Sequence, residues 1–315
     1  MWSMMRGKLI TAATLVAITV AFAGVDAMQE PPTATFRGGV DLVRVAAVVR
    51  DHKGRFVQDL NARDFEVLDA GRKRSITDFR HDIAGVSIAL LFDVSGSMEG
   101  HLPNAREAAT HVLSWLDARD EAAIFTFDTE LRQSIAFTEG LKALPEQLAS
   151  VVPFGATSLH DAISETARRV GAREGRRRAV VVLTDGNDNA SRLTPAEVSA
   201  AASEIDVPVY IVGVVPAIDN PTADTATMSV ERSAFSGPLA DLANWTGGHV
   251  FVVSTPGQRS IAARQIVDEL RHQYLIAFES SGDPGWHPLV VRARQKDLVV
   301  RARSGYMAGQ SRIVS

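Results

Sequence analysis

Leu90-Leu91-Phe92-Asp93-Val94-Ser95-Gly96-Ser97-Met98 decides the fold, because an apolar strand runs unbroken into a turn of acid and hydroxyl groups. A strand apolar at every position is buried on both faces, the habit of parallel strands covered by helices. Outward from this stretch the alternation repeats. Apolar strands are expected over 86–92, 122–127, 179–183, 207–215 and 249–253, and amphipathic helices over 103–116, 141–149, 159–170, 195–204, 239–245 and 260–272. Strands alternating with helices predict an α/β fold with a doubly wound, mostly parallel sheet. The connection between 215 and 239 is rich in Asp, Thr, Ser and Pro and reads as an exposed loop beside the strand ends.

The flanks follow a different rule. Val43, Val45, Ala47 and Val49 recur with the period of two that marks a half-buried strand, and Asp51-His52-Lys53-Gly54 supplies a turn. Further short strands are expected over 64–68 and 75–79, and beyond the last helix over 274–278. Two near-copies of one hexapeptide, Leu289-Val290-Val291-Arg292-Ala293-Arg294 and Leu298-Val299-Val300-Arg301-Ala302-Arg303, read as a hairpin across Gln295-Lys296-Asp297. Each flank alone has too few strands for independent stability, so the two are expected to form one smaller β domain. The expected organisation is a signal over 1–27, a linker over 28–39, β segments over 40–83 and 273–307, the α/β domain over 84–272 and a tail over 308–315.

The N-terminus has the form of an export signal: Arg6 and Lys8 precede an apolar run over 9–20, then small-residue triplets Ala21-Phe22-Ala23 and Val25-Asp26-Ala27. Cleavage would release a periplasmic or extracellular protein; an uncleaved signal would anchor it, and without that anchor no stable membrane insertion is expected. Cysteine is absent, which excludes disulfides and thiolate metal sites. With 33 basic against 37 acidic residues and a net charge of −4, no global field favours nucleic acid.

Ligands of open α/β sheets bind beyond the carboxyl ends of the strands. Asp93, Ser95 and Ser97 fall there, as do Thr157 in Gly155-Ala156-Thr157-Ser158 before a helix and Asp185 in Thr184-Asp185-Gly186 after a strand. All five are oxygen donors. Such hard ligands suit Mg²⁺, Mn²⁺ or Ca²⁺ rather than zinc. Mg²⁺ also favours few protein carboxylates, and Asp93 with Asp185 would only neutralise it, leaving it open to one more anionic oxygen.

D-x-S-x-S at 93–97, the later Thr157 and T-D-G at 184–186 resemble the metal-ion-dependent adhesion site of von Willebrand factor type A domains, over roughly 86–272. The resemblance implies a Rossmann-like fold in which Asp93, Ser95, Ser97, Thr157 and Asp185 arrange the ion, and a protein partner's Asp or Glu completes its coordination. One departure is that Ala156 stands where the family often has a second glycine. The flanks, with Val57–Phe65 before the domain and Leu270–Tyr274 and Gly305-Tyr306 after it, resemble a bacterial exported subgroup.

Other readings fit less well. A phosphatase of the haloacid dehalogenase type would use Asp93 but needs an acid where Ser95 stands. No HExxH spacing and no phosphate-binding G-x-x-x-x-G-K-[ST] loop occur. No catalysis is therefore expected; a metal-dependent hydrolase and a purely structural envelope protein are the alternatives. Arg168, Arg169, Arg173, Arg176, Arg177 and Arg178 are expected to form a solvated face near a helix end.

Overall fold

The computed structural model describes residues 42–81, 85–173, 175–204, 206–216 and 235–308. The signal segment, the linker, most of the long connection (217–234) and residues 309–315 of the tail lie outside the described residues.

The central sheet has six strands. They are β5 (Val86–Asp93), β6 (Glu121–Phe127), β7 (Leu131–Glu139), β8 (Arg177–Thr184), β9 (Val209–Val214) and β10 (Val250–Val253) in the order β10-β9-β8-β5-β6-β7. All pairs are parallel except β6 with β7. Even positions of β5 (Val86, Ile88, Leu90, Phe92) pack beneath α1 (Leu102–Trp115) and α6 (Pro256–Arg271). Its odd positions, Ala89 and Leu91, face α3 (Leu159–Gly171), α4 (Pro195–Glu204) and α5 (Pro238–Trp245). Burial on both faces is why β5 shows no alternation in sequence.

Two expectations are corrected in this layer. The helix expected over 141–149 is only α2 (Glu146–Ala149), because Pro145 sits at its N-cap with extended backbone. The polar segment before it is the edge strand β7, exposed at most positions. A solvated antiparallel edge carries too little apolar periodicity to be read from sequence.

The flanking strands form two further four-stranded sheets. One is β13-β1-β11-β4 and the other β14-β12-β2-β3, from β1 (Leu42–Arg50), β2 (Phe65–Asp69), β3 (Arg72–Arg74), β4 (Ile76–Arg80), β11 (Gln273–Glu279), β12 (Gly285–Ala293), β13 (Val299–Ala302) and β14 (Gly305–Ala308). Their apolar faces share one core. Val43, Val45, Ala47, Tyr274, Ile276 and Phe278 come from the first sheet, and Phe65, Val67, Leu289, Val291 and Tyr306 from the second. The smaller β unit of flanking strands is thus a sandwich of two sheets.

The hexapeptide hairpin is not formed. The first copy lies in β12, which pairs with β2 and β14, whereas the second lies in β13, which pairs with β1 in the other sheet. Both copies turn apolar residues toward one shared core, Leu289 and Val291 from one side and Val300 and Ala302 from the other. Similar patterns dictate the same facing, not mutual pairing.

Between the sandwich and the α/β core sits a buried ion cluster. Glu269 of α6, only 5% exposed, pairs with Arg50 of β1 at 3.1 Å and with Arg301 of β13. Arg50 also covers the Phe56 ring at 3.9 Å, and Phe56 stacks on His272 at 4.4 Å.

A second charged group is buried in the sandwich. His287 on β12 approaches Asp69 Oδ1 through Nδ1 and the Asp283 carbonyl through Nε2, each at 2.8 Å. Both ring nitrogens face acceptors, so the doubly protonated ring satisfies both. Burial opposes its charge, yet Asp69 and Asp283 raise the His287 pKa above its ordinary value. Arg74 faces Asp69 Oδ2 at 2.9 Å, and the Tyr306 hydroxyl lies 3.5 Å from His287 Nδ1. A histidine whose folded pKa is raised contributes stability below its unfolded pKa that is lost as pH rises through the folded one. The melting temperature should therefore fall above about pH 6.5, and His287→Gln should flatten that fall. An equal slope in melts of both proteins across that range would contradict the assignment.

Candidate metal centre

The chain runs from β5 to β6 on one side and later returns to β8 on the other, so the strand order reverses between β5 and β8. A crevice at such a switch point is the usual ligand site of an open α/β sheet. Phe92 pairs with Leu183, which places Asp93 level with Thr184 at the paired strand ends. Thr184 donates its hydroxyl to Asp93 Oδ2 at 2.7 Å. On the other oxygen, Asp93 Oδ1 accepts from the Ser95 backbone N–H at 3.0 Å and from the Ser95 hydroxyl at 2.6 Å. The Ser95 and Ser97 oxygens are 3.2 Å apart. With its proton donated to Asp93, the Ser95 oxygen keeps lone pairs for another electrophile.

The 154–157 loop is latched to this turn by backbone, and the loop after β8 is latched in turn to Thr157. Gly96 N–H donates to the Gly155 carbonyl and Phe154 N–H to the Val94 carbonyl, each at 3.0 Å. A side chain at Gly96 would press on the Gly155 carbonyl at 3.3 Å. Gly155 has φ +85°, where glycine is favoured, whereas Ala156 has no positive φ, so alanine there costs no backbone strain. Thr157 is held by its main chain: its N–H donates to Asn189 Oδ1 at 2.8 Å and its carbonyl accepts from Asn189 and Ala190. Asp185 is oriented by Asn187, whose backbone N–H donates to Oδ1 at 3.1 Å and whose side-chain amide donates to Oδ2 at 2.9 Å. His160 anchors the same loop through Asp188 at 2.6 Å; burial opposes the charge, but His160 and Ser191 hold the Asp188 carboxyl well below the usual range.

Exposure grades from floor to mouth. Asp93, Ser95 and Thr157 are buried, Asp185 is half-buried and Ser97 is exposed. Asp93 decides whether these groups suit a divalent ion. Its carboxylate is fully buried and meets no Lys, Arg or His ion-pair partner among the described residues. Burial pushes its pKa up to about 6, against hydrogen bonds from Ser95 and Thr184 that lower it, and the nearby negative charge of Asp185 raises it further. Two acids without a counter-charge, beside hydroxyl oxygens, fit a hard cation. No group of three or more acids and histidines gathers as a metal cluster among the described residues, so an ion held here would have to take hydroxyl oxygens beside the carboxylates.

Sequence reasoning named five candidate residues but gave no role to the groups that hold them, Thr184, quoted only as part of T-D-G, and Asn189. Thr184 was legible in principle, since it ends a strand beside Asp93's; Asn189 had no signal beyond a polar loop. The arginine cluster is the solvated face expected only in part, at Arg168 and Arg169. Arg173 forms a two-pronged pair with Glu121 at 2.8 and 2.7 Å, and Arg177 is buried, donating to the His81 carbonyl. No described helix is long and apolar enough to cross a membrane.

Among solved structures, an aerotolerance-related membrane protein from Bacteroides fragilis is 20% identical, with 59% of this chain and 98% of that one covered and a TM-score of 0.47. A von Willebrand factor type A protein from Catenulispora acidiphila is 13% identical, with coverages of 88% and 76% and a TM-score of 0.46. The pilus adhesin SpaC from Lactobacillus rhamnosus GG is 10% identical, with coverages of 82% and 47% and a TM-score of 0.43. No curated protein matches the chain. The sequence profile of the von Willebrand factor type A domain matches residues 87–269, from the start of β5 to the end of α6. That span is more than half of the chain and holds all three latched loops, so the chain belongs to the von Willebrand factor type A domain family.

Proposed function

We propose that this chain is an exported protein, periplasmic or extracellular, that grips a protein partner's Asp or Glu through one divalent ion held by Asp93, Ser95, Ser97, Thr157 and Asp185. The observation that carries this reading is the buried Asp93 carboxylate, which has hydrogen-bond donors and no cation. Mg²⁺ suits the donor set best, with Mn²⁺ or Ca²⁺ as close substitutes. When bound, the ion supplies positive charge that a partner carboxylate can share. The residues do the rest: Thr184 and Ser95 aim Asp93, Asn187 aims Asp185, and the two Gly155–Gly96 and Phe154–Val94 backbone bonds fix the loops before any partner arrives. Preorganisation of this kind lowers the ordering cost of association. Domains of this family are often interaction or adhesion modules, which agrees with the reading.

A binding role also needs the absence of turnover. Ser95 occupies the place of a general acid, and the His160 imidazole is engaged with Asp188. Phosphatase, nuclease and peptidase substrates should remain intact with Mg²⁺ or Mn²⁺ present. Hydrolysis that disappears in Asp93→Ala would make this an enzyme. Partner capture from the exported fraction should be reversed by a chelator; capture indifferent to EDTA would count against the carboxylate–metal link.

A further inference from the structure

The two most exposed large apolar side chains among the described residues stand together beside the metal centre: Val152 is 80% and Phe154 82% exposed. A lone apolar side chain on a surface needs no explanation. Two within one short segment, next to a binding loop, do. Burial alternates along the segment, with Val151 and Pro153 half-buried and Val152 and Phe154 exposed, so the apolar pair leaves on the same side. Val151 packs against the core below.

The segment is held at its backbone with the pair outward. Arg106 donates to the Val151 carbonyl at 3.3 Å, Phe154 N–H to the Val94 carbonyl at 3.0 Å, and the Gly155 carbonyl accepts from Gly96 at 3.0 Å. Val94 and Gly96 flank Ser95, so the backbone bonds that shape the D-x-S-x-S turn also fix where Phe154 stands. An exposed apolar pair beside the proposed carboxylate-binding centre is suited to contact a partner.

We propose that Val152 and Phe154 form an apolar rim of the centre, and that the partner's acidic residue has an aromatic or branched aliphatic side chain within about two positions that packs on this rim; two extended residues span ~7 Å, the scale of neighbouring subsites. This inference rests on the carboxylate-binding reading. A metal ion alone accepts any accessible acid; the rim selects an acid with an apolar neighbour over one in a charged run.

Random nonapeptides with a fixed central Asp or Glu, displayed on phage, test it against the full chain in Mg²⁺, with elution by EDTA. The native protein should enrich peptides with Phe, Leu, Ile or Trp within two positions of the acid, and synthetic versions should bind roughly tenfold or more tighter than Ser-flanked ones. A Val152→Ser/Phe154→Ser variant removes only exposed groups, so it should keep its melting temperature and its Mg²⁺ response. That variant should still enrich acids but lose the apolar preference. EDTA-sensitive enrichment without apolar neighbours, or a preference unchanged in the variant, overturns the rim while leaving the metal reading intact. No EDTA-sensitive enrichment in either protein overturns the metal reading and the rim with it.

Discussion

Asp93→Ala is expected to abolish the stabilisation of this protein by Mg²⁺. An ion that binds only the folded chain at one hundred times its dissociation constant adds about 2.7 kcal/mol. For a chain of this size that is a rise of roughly 4–5 °C in melting temperature. The variant loses the one acid at the floor of the centre, which accepts three hydrogen bonds from Ser95 and Thr184. Without metal, the variant should melt no lower than the native protein by much, because a buried carboxylate with no counter-charge contributes little net stability. Thermal melts with 0 and 10 mM Mg²⁺, where ~10 mM is taken as saturating, check both statements. A native-sized Mg²⁺ shift in Asp93→Ala would place the ion elsewhere.

Glu269→Ala should produce the largest loss of stability of any change at the seam between the sandwich and the α/β core. The carboxylate takes Arg50 from β1 and Arg301 from β13, and its removal leaves both guanidinium groups without their shared anion. Breaking a fully buried pair costs about 3–5 kcal/mol. Side-chain exposures of 31% for Arg50 and 28% for Arg301 let water relieve part of this, so the expected loss is about 2–3 kcal/mol. Urea unfolding measures it, and Glu269→Gln should fall between the two. A loss under ~0.5 kcal/mol, the scale of ordinary surface changes, would mean the cluster is not holding the seam.

The sequence disclosed most where local pattern and tertiary demand coincide. β5 is buried on both faces and ends in its own functional turn, so its eight residues carry both fold and site. The candidate residues Thr157 and Asp185 stood out for the same reason: each follows or precedes an element whose type was plain. What stayed hidden depended on partners distant in sequence. β7 is exposed at most of its positions and owes its place to β6. The second hexapeptide belongs to β1, some 250 residues earlier, rather than to its near-copy. The fully buried state of Asp93 arises from Thr184 and from loops that no window around residue 93 contains.

The chain enters the α/β core from β4 and leaves it into β11, and these two strands are hydrogen-bonded neighbours in one sheet of the sandwich. Tension applied between β1 and β14 would therefore be carried by the sandwich, whose opposing sheets must shear apart before the loop between β4 and β11 is drawn straight. Until then the turn at Asp93 feels no pull along its own backbone. A load between β1 and β14 would thus meet the paired β4 and β11 before it reached the strands of the central sheet.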